Sequence, residues 1–339
     1  MWMRAAALIE GLRLDAPITL QPFVVTPVAA DRKFIGRDGR AIFNAELAAA
    51  GFATAVDQPT WGAQLWPRRR LALAVSSAVE GDAATMPMVL ALVANRMTDV
   101  LAFSHGGDPR VYVSAFEISP DGATWRSAAV MLGEGPYPGS TLDRLADGRG
   151  VPALDPAAVW RTAPADPRLA LWLSLYRGAA AERAWDARLF RYFALLEAIA
   201  GVAYPQPIAV VDSAGAPLLG VTGTPVTTAA ARGGVCMLLR RSLRALDVDE
   251  AVLCVHPHHT LWEEVGVWLD VRNAVAHEGA CRPAPIVTRR PATRDRIAAA
   301  FEVAGRGDVD EGCRQYADSC GAGAEVVLRA VALGRLALP

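Results

Sequence analysis

Within the segment Thr260–Gly279, TLWEEVGVWLDVRNAVAHEG, three side chains have the types and spacing for acid–base chemistry on a phosphate: Arg272, Asn273 and His277. A guanidinium grips two oxygens of a phosphate at once. An imidazole exchanges its proton near neutral pH. Together they form a minimal set for cleaving RNA: the 2′-OH attacks the adjacent phosphorus, histidine assists the proton transfers, and arginine stabilises the pentacoordinate oxygens. Such a set needs no metal. Arginine followed five residues later by histidine is a weak pattern in a chain with 33 arginines, but only three asparagines occur in the chain, and one of them directly follows this arginine.

The helix that must carry these residues is written locally. Thr260 with Glu263 predicts a capping box, and Gly279 a left-handed stop. On a wheel of 100° per residue, Leu261, Val265, Trp268, Val275 and Ala276 form an apolar stripe with Leu269 at its edge, while Glu263 and Asp270 face away. Arg272 falls in the middle of the stripe. A charge there needs a partner or a wet cleft. Either a structural ion pair or an anion site would justify it. The upstream segment Leu189–Ala200, LFRYFALLEAIA, supplies a candidate partner: its stripe is Leu189, Phe193, Leu196 and Ala200, with Glu197 on the border. A Glu197–Arg272 pair would satisfy both charges and orient the guanidinium.

Arg272-Asn273-Ala274-Val275-Ala276-His277 on the last turn of a helix resembles the Rx4–6H motif of HEPN domains, in its RNxxxH form, and ARLFRYFALLEAIAG is similar to the first long helix of abortive-infection and ApeA-like members. The resemblance spans Asp166 to the C-terminus. It implies a helical bundle, a homodimer whose motifs meet in one composite cleft, and metal-independent endoribonuclease activity in a toxin or anti-phage role, with Glu197, Arg272, Asn273 and His277 as the site. An activating phage or antitoxin partner is compatible with that role. The segment Pro205–Thr228 departs from a compact bundle. Two other readings stay open: a non-catalytic HEPN-like module binding RNA or protein, and an accidental motif in an unrelated α+β protein.

The rest of the chain sets the frame. Its 339 residues are 53% hydrophobic with a net charge of −1, which excludes disorder and a whole-protein basic field. RNA contact must then use local patches. Arg240, Arg241 and Arg244, and Arg289 and Arg290 with Arg294 and Arg296, flank the motif and are the candidates; Arg68-Arg69-Arg70 is a further cluster. The basic residues are arginine except Lys33. Five cysteines without a CxxC pair, no export signal, and apolar runs too short for a bilayer lead us to expect a reduced, cytoplasmic, soluble protein. Cys254-Val255-His256-Pro257-His258-His259 matches no established zinc spacing and reads as the loop before the helix, near the cleft mouth. No cofactor is expected.

The expected fold is α+β. Residues 1–150 read as a β-rich sandwich or barrel serving as sensor, with strands at Ile18–Thr26, Arg70–Val79 and Arg110–Ile118, apolar runs at Met88–Val93 and Asp99–Phe103, and a hairpin at Asp121-Gly122. Residues 151–339 read as the helical domain. Pro205–Thr228 reads as a loop or small hairpin, and no internal repeat is apparent.

Overall fold

The computed structural model describes residues 1–12, 14–28, 39–55, 71–105, 109–132, 150–151, 154–162, 166–220, 222–279 and 291–339. The chain divides into two compact units, Met1–Asp143 with Asp155–Arg161, and Arg144–Leu154 with Thr162–Pro339. The boundary expected at 150 therefore falls in a stretch where the chain alternates between them. Both units together make a mixed α and β protein.

The first unit is built on one antiparallel sheet. Its strands are β1 (Trp2–Glu10), β2 (Ile18–Leu20), β3 (Phe23–Pro27), β4 (Leu71–Ser76), β5 (Val79–Glu80), β6 (Arg110–Ser119) and β7 (Arg126–Leu132). They run in the order β2-β3-β4-β1-β6-β7, with β5 pairing the start of β1. Pro22 ends β2 rather than interrupting a longer strand, and the chain turns there into β3. β1 is the central strand, and its Ala5–Glu10 run is buried on both faces. Met3, Ala5, Ala7 and Ile9 pack with Leu90, Ala94, Met97 and Leu101 of α2 (Met86–His105). Ala6 and Leu8 pack on the other side with Phe43 and Leu47 of α1 (Gly39–Ala49).

This arrangement corrects the sandwich-or-barrel expectation: the sheet is open, with helices on its faces. The runs Met88–Val93 and Asp99–Phe103 are pieces of one helix, α2. The signal was the spacing of Leu90, Ala94, Met97 and Leu101 at intervals of four and three, which a strand cannot put on one face. α2 is also the one helix among the described residues long and apolar enough to cross a membrane. The Asp121-Gly122 hairpin forms as read. Gly122 takes φ +75°, and the Asp121 carboxylate accepts from the Ala123 and Thr124 amides, which holds its pKa well below the usual range.

In the same unit a buried carboxylate organises the sheet margin. Glu117 is fully buried; it accepts from the Arg4 Nε at 2.9 Å and from the Thr54 amide at 2.7 Å. The Arg4 guanidinium lies 4.4 Å from both the Phe52 and Trp125 ring centres. Its charge is thus met at its N–H edge by the carboxylate and by the two aromatic rings it lies against.

After α3 (Pro156–Thr162), the second unit contains α4 (Pro167–Ala180), α5 (Trp185–Ala203), α6 (Ala231–Leu246), a 3-10 turn at Glu250–Leu253, α7 (Leu261–Glu278), α8 (Pro291–Ala304) and α9 (Val309–Ala332). α9 packs against α4, α5, α6 and α8. Its Gly323 lets it approach Leu239 and Trp268 closely, since a Cβ there would meet both at 3.2 Å. Sealed between the helices is the pair Arg329–Glu325, both fully buried and one turn apart on α9, with the Tyr176 hydroxyl 3.5 Å from the Glu325 carboxylate.

Between α5 and α6 the chain forms three short arms, 208–212, 216–220 and 224–228. Each bonds to the other two: Leu218 N to Val210 O, Val226 N to Leu218 O and Val210 N to Val226 O, all at 2.8 Å. Gly215 (φ +87°) and Gly223 (φ +75°) turn the chain at equivalent points eight residues apart. IAVVDSAG, APLLGVTG and TPVT are therefore one eight-residue unit repeated, with Val210, Leu218 and Val226 in the same place. The expectation of no internal repeat is corrected. The repeat was missed because it is short and because Ala209 stands where the other two arms have proline. The knob seats on α6 through Gly233, where a Cβ would lie 2.4 Å from Thr227 O.

Candidate active site

α7 forms as its sequence dictates. The Thr260 hydroxyl accepts from the Glu263 amide at 3.3 Å, the Thr260 amide donates to Glu263 Oε2 at 2.8 Å, and Gly279 closes the helix at φ +80°. Gly266 allows α6 to approach: the Arg232 guanidinium stacks 4.0 Å from the Trp262 ring centre and donates to Trp262 O. The buried stripe is Leu261, Glu264, Val265, Trp268, Val271 and Ala274. Relative to the wheel read from sequence it is rotated toward Val271, and Ala276 is exposed rather than buried.

Arg272 lies at the margin of this stripe, and its side chain is 29% exposed. Its NH2 donates to Glu197 Oε2 on α5 at 2.9 Å, and its NH1 to Asn273 Oδ1 at 3.1 Å. The Nε is buried and makes no hydrogen bond among the described residues. The Glu197–Arg272 pair expected from the two helix stripes is thus formed, and Asn273 joins it. Glu197 keeps 36% of its side-chain surface, so the pair is screened by water and contributes little to stability. What the geometry achieves is orientation: a cation fixed on two sides and open on another.

His277 is exposed on the last turn. The helix continues unbroken to Glu278, so His277 is held on helical backbone. Five residues at 100° each leave Arg272 and His277 pointing about 140° apart around the axis. The two are brought to the same end of α7 but not to the same face.

The basic clusters separate sharply. Arg240, expected at an RNA surface, is 4% exposed; it donates to Glu250 Oε1 at 2.9 Å and to Val211 O. It is a structural residue holding the knob to the 3-10 turn, and that assignment is corrected. Arg244 is exposed and reaches Ser213 O at 3.3 Å, so it also touches the knob. Arg241 is exposed, with NH2 3.3 Å from Ala337 O. Arg296 pairs with Asp270 at 3.0 Å and Arg294 with Asp295 at 2.8 Å. Arg289 and Arg290 lie outside the described residues, as does the Arg68–Arg70 run.

The Cys254–His259 loop precedes α7, as read, but not beside the motif. The helical rise puts Leu261 and Arg272 roughly 16 Å apart along the axis. The His256 Nδ1 accepts from the His258 amide at 3.2 Å, which uses the lone pair that a ligand nitrogen would need. Among the described residues no group of three or more His, Cys, Asp or Glu side chains is arranged to hold a metal ion. Burial first, then the carboxylates Glu264 and Glu250, push the Cys254 thiol up to about 12, far from a thiolate nucleophile.

Two kinds of buried charge escaped the sequence reading. Glu264 is fully buried although it follows Glu263, which is exposed; on the wheel it falls between Trp268 and Val271, a charge beside an apolar stripe as Arg272 is. Arg188 is 2% exposed, donates to Glu182 O and lies 4.3 Å from the Trp185 ring centre. Nothing in its local spacing announces that. No protein-family model matches this chain, and no curated protein or solved structure matches it significantly.

Proposed function

We propose that the helical unit is a metal-independent endoribonuclease of the HEPN type, acting as a toxin or anti-phage effector. The observation that carries this reading is the state of Arg272: on the margin of a buried stripe, fixed by Glu197 and Asn273, yet 29% exposed. Glu197 and Asn273 orient the guanidinium while its exposed surface can meet a phosphate.

In this reading Arg272 binds the scissile phosphate. An imidazole takes the 2′-OH proton as the oxygen attacks phosphorus, and the P–O5′ bond breaks with a proton returned to the leaving oxygen. A 2′,3′-cyclic phosphate and a 5′-OH result. Arg272 stabilises the charge gathering on the equatorial oxygens. Because Arg272 and His277 diverge about α7, this reading requires a composite cleft, in which the two groups acting on one phosphate come from two copies of the chain. Asn273 helps to hold the guanidinium, and Glu197 is a positioning residue. Arg241 and Arg244 are the exposed arginines of α6 available to an RNA backbone. The sheet unit is the proposed sensor.

A second reading has one observation in its favour. Glu197 occupies the NH2 group of Arg272, so a phosphate must share or displace it. That suits a non-catalytic module binding RNA or protein. Cleavage of structured RNA in EDTA by wild type, His277→Ala and Arg272→Lys separates the two. Cleavage by wild type alone establishes the enzyme. RNA retained by all three without cleavage, in a folded dimer, establishes the binding module.

A further inference from the structure

At the opposite end of α7 from the motif, Glu264 is a carboxylate with no exposed surface. Its Oε2 lies 3.3 Å from His259 Nδ1, and its Oε1 makes no hydrogen bond to the described residues. We propose that His259 is the titratable counter-ion of Glu264, so that the junction between the Cys254–His259 loop and α7 is a pH-sensitive anchor for this helix.

The spacing gives the physical logic. Thr260 is the N-cap, so His259 occupies N′ and Glu264 N4, the two positions that meet in a hydrophobic staple. Here the staple is ionic. Among the described residues no arginine or lysine pairs with Glu264. From α7 itself comes Glu263, whose carboxyl is held low by the Thr260 hydrogen bonds. The loop adds Cys254 and His256, the latter stacked on His259 at 4.5 Å with 26° between the rings, and His258, whose ring lies 5.6 Å from that of His256. Tyr316 and Cys320 of α9 feel the Glu264 charge, and both are pushed up by burial first and by that carboxylate second. Asp249 and Glu250 of the 3-10 turn act on Cys254. The thiols and the phenol are neutral at neutral pH, and the carboxylates are negative. Arg232 acts on Glu263 and on the Trp262 carbonyl. A buried carboxylate that loses its only cation must take up a proton or leave the core.

His259 is raised above 6.5 by its hydrogen bond to Glu264, against burial, which lowers it. The sign follows from that direction. A base with a higher folded pKa contributes stability that is complete below its unfolded value and is lost as pH rises through the folded value. The anchor therefore holds fully below 6.5 and weakens as pH rises through the raised folded value of His259.

The test is an NMR titration of the His259 ring in the full chain, with unfolding followed in urea at pH 5.5, 7 and 9, for wild type, His259→Gln and Glu264→Gln. We expect His259 to titrate above 6.5 in wild type and to fall in Glu264→Gln. The wild-type folded fraction at fixed urea should drop from pH 5.5 to 9 by more than in either variant. A His259 midpoint at or below 6.5 overturns the proposal, and so does a pH slope that persists in Glu264→Gln. Should His259→Gln fail to fold, the titrations of wild type and Glu264→Gln still decide. Neither readout depends on RNA cleavage.

Discussion

Two arginine–carboxylate pairs in the helical unit sit at opposite extremes. Arg329 and Glu325 lie one turn apart on α9, with 0% and 1% of their side chains exposed. Arg272 and Glu197 come from different helices and keep 29% and 36%. The first pair is closed to solvent, so removing either partner breaks an ion pair inside the core. The second is joined on one edge and open on another. Burial alone thus separates a guanidinium that belongs to the architecture from one that can meet a ligand. Arg240 stands between them, with a 4% exposed guanidinium but a Glu250 partner that keeps 24%.

The largest effect should come from opening the closed pair. Arg329→Met breaks a fully buried ion pair and should cost about 3–5 kcal/mol of stability, read from urea unfolding. The double variant Arg329→Met with Glu325→Leu should recover much of it. If the single variant costs less than about 1 kcal/mol, the pair is not sealed and the comparison fails.

At Arg272 the effect should move from stability to activity. Arg272→Lys keeps the charge but loses the bidentate fork. Unfolding should change by less than about 1 kcal/mol, as for exposed pairs, while RNA cleavage falls about a hundredfold or more. A loss of stability as large as that of Arg329→Met would place Arg272 with the structural pairs instead.

Arg240→Met should fall between, costing about 1.5–3 kcal/mol through the lost charged hydrogen bonds to Glu250 and the knob. RNA affinity should not change, in contrast to Arg241→Ala and Arg244→Ala together, which should weaken it and reduce its salt dependence. An affinity loss in Arg240→Met without loss of stability would restore its place at an RNA surface.

How far the sequence reached differs along the chain for physical reasons. The start and stop of α7 were legible because a capping box and a glycine stop act within a few residues. The Glu197–Arg272 pair was legible because each residue interrupts an apolar stripe on its own helix. α2 was misread as strands because its apolar run was divided into short pieces before its spacing was followed over the full twenty residues. The knob stayed hidden because its ring of hydrogen bonds joins residues eight and sixteen apart with little side-chain signature.

The limits of α7 and the partner of Arg272 were determined by the sequence alone, since periodicity and caps are properties of neighbouring residues. Which arginines face solvent was decided only by tertiary structure. Arg240 and Arg241 are adjacent in one helix, yet Arg240 is closed by Val211 O and the Glu250 carboxylate while Arg241 remains exposed. A side chain's burial depends on what covers it, and here that cover arrives from an arm of the knob and from the turn beyond α6.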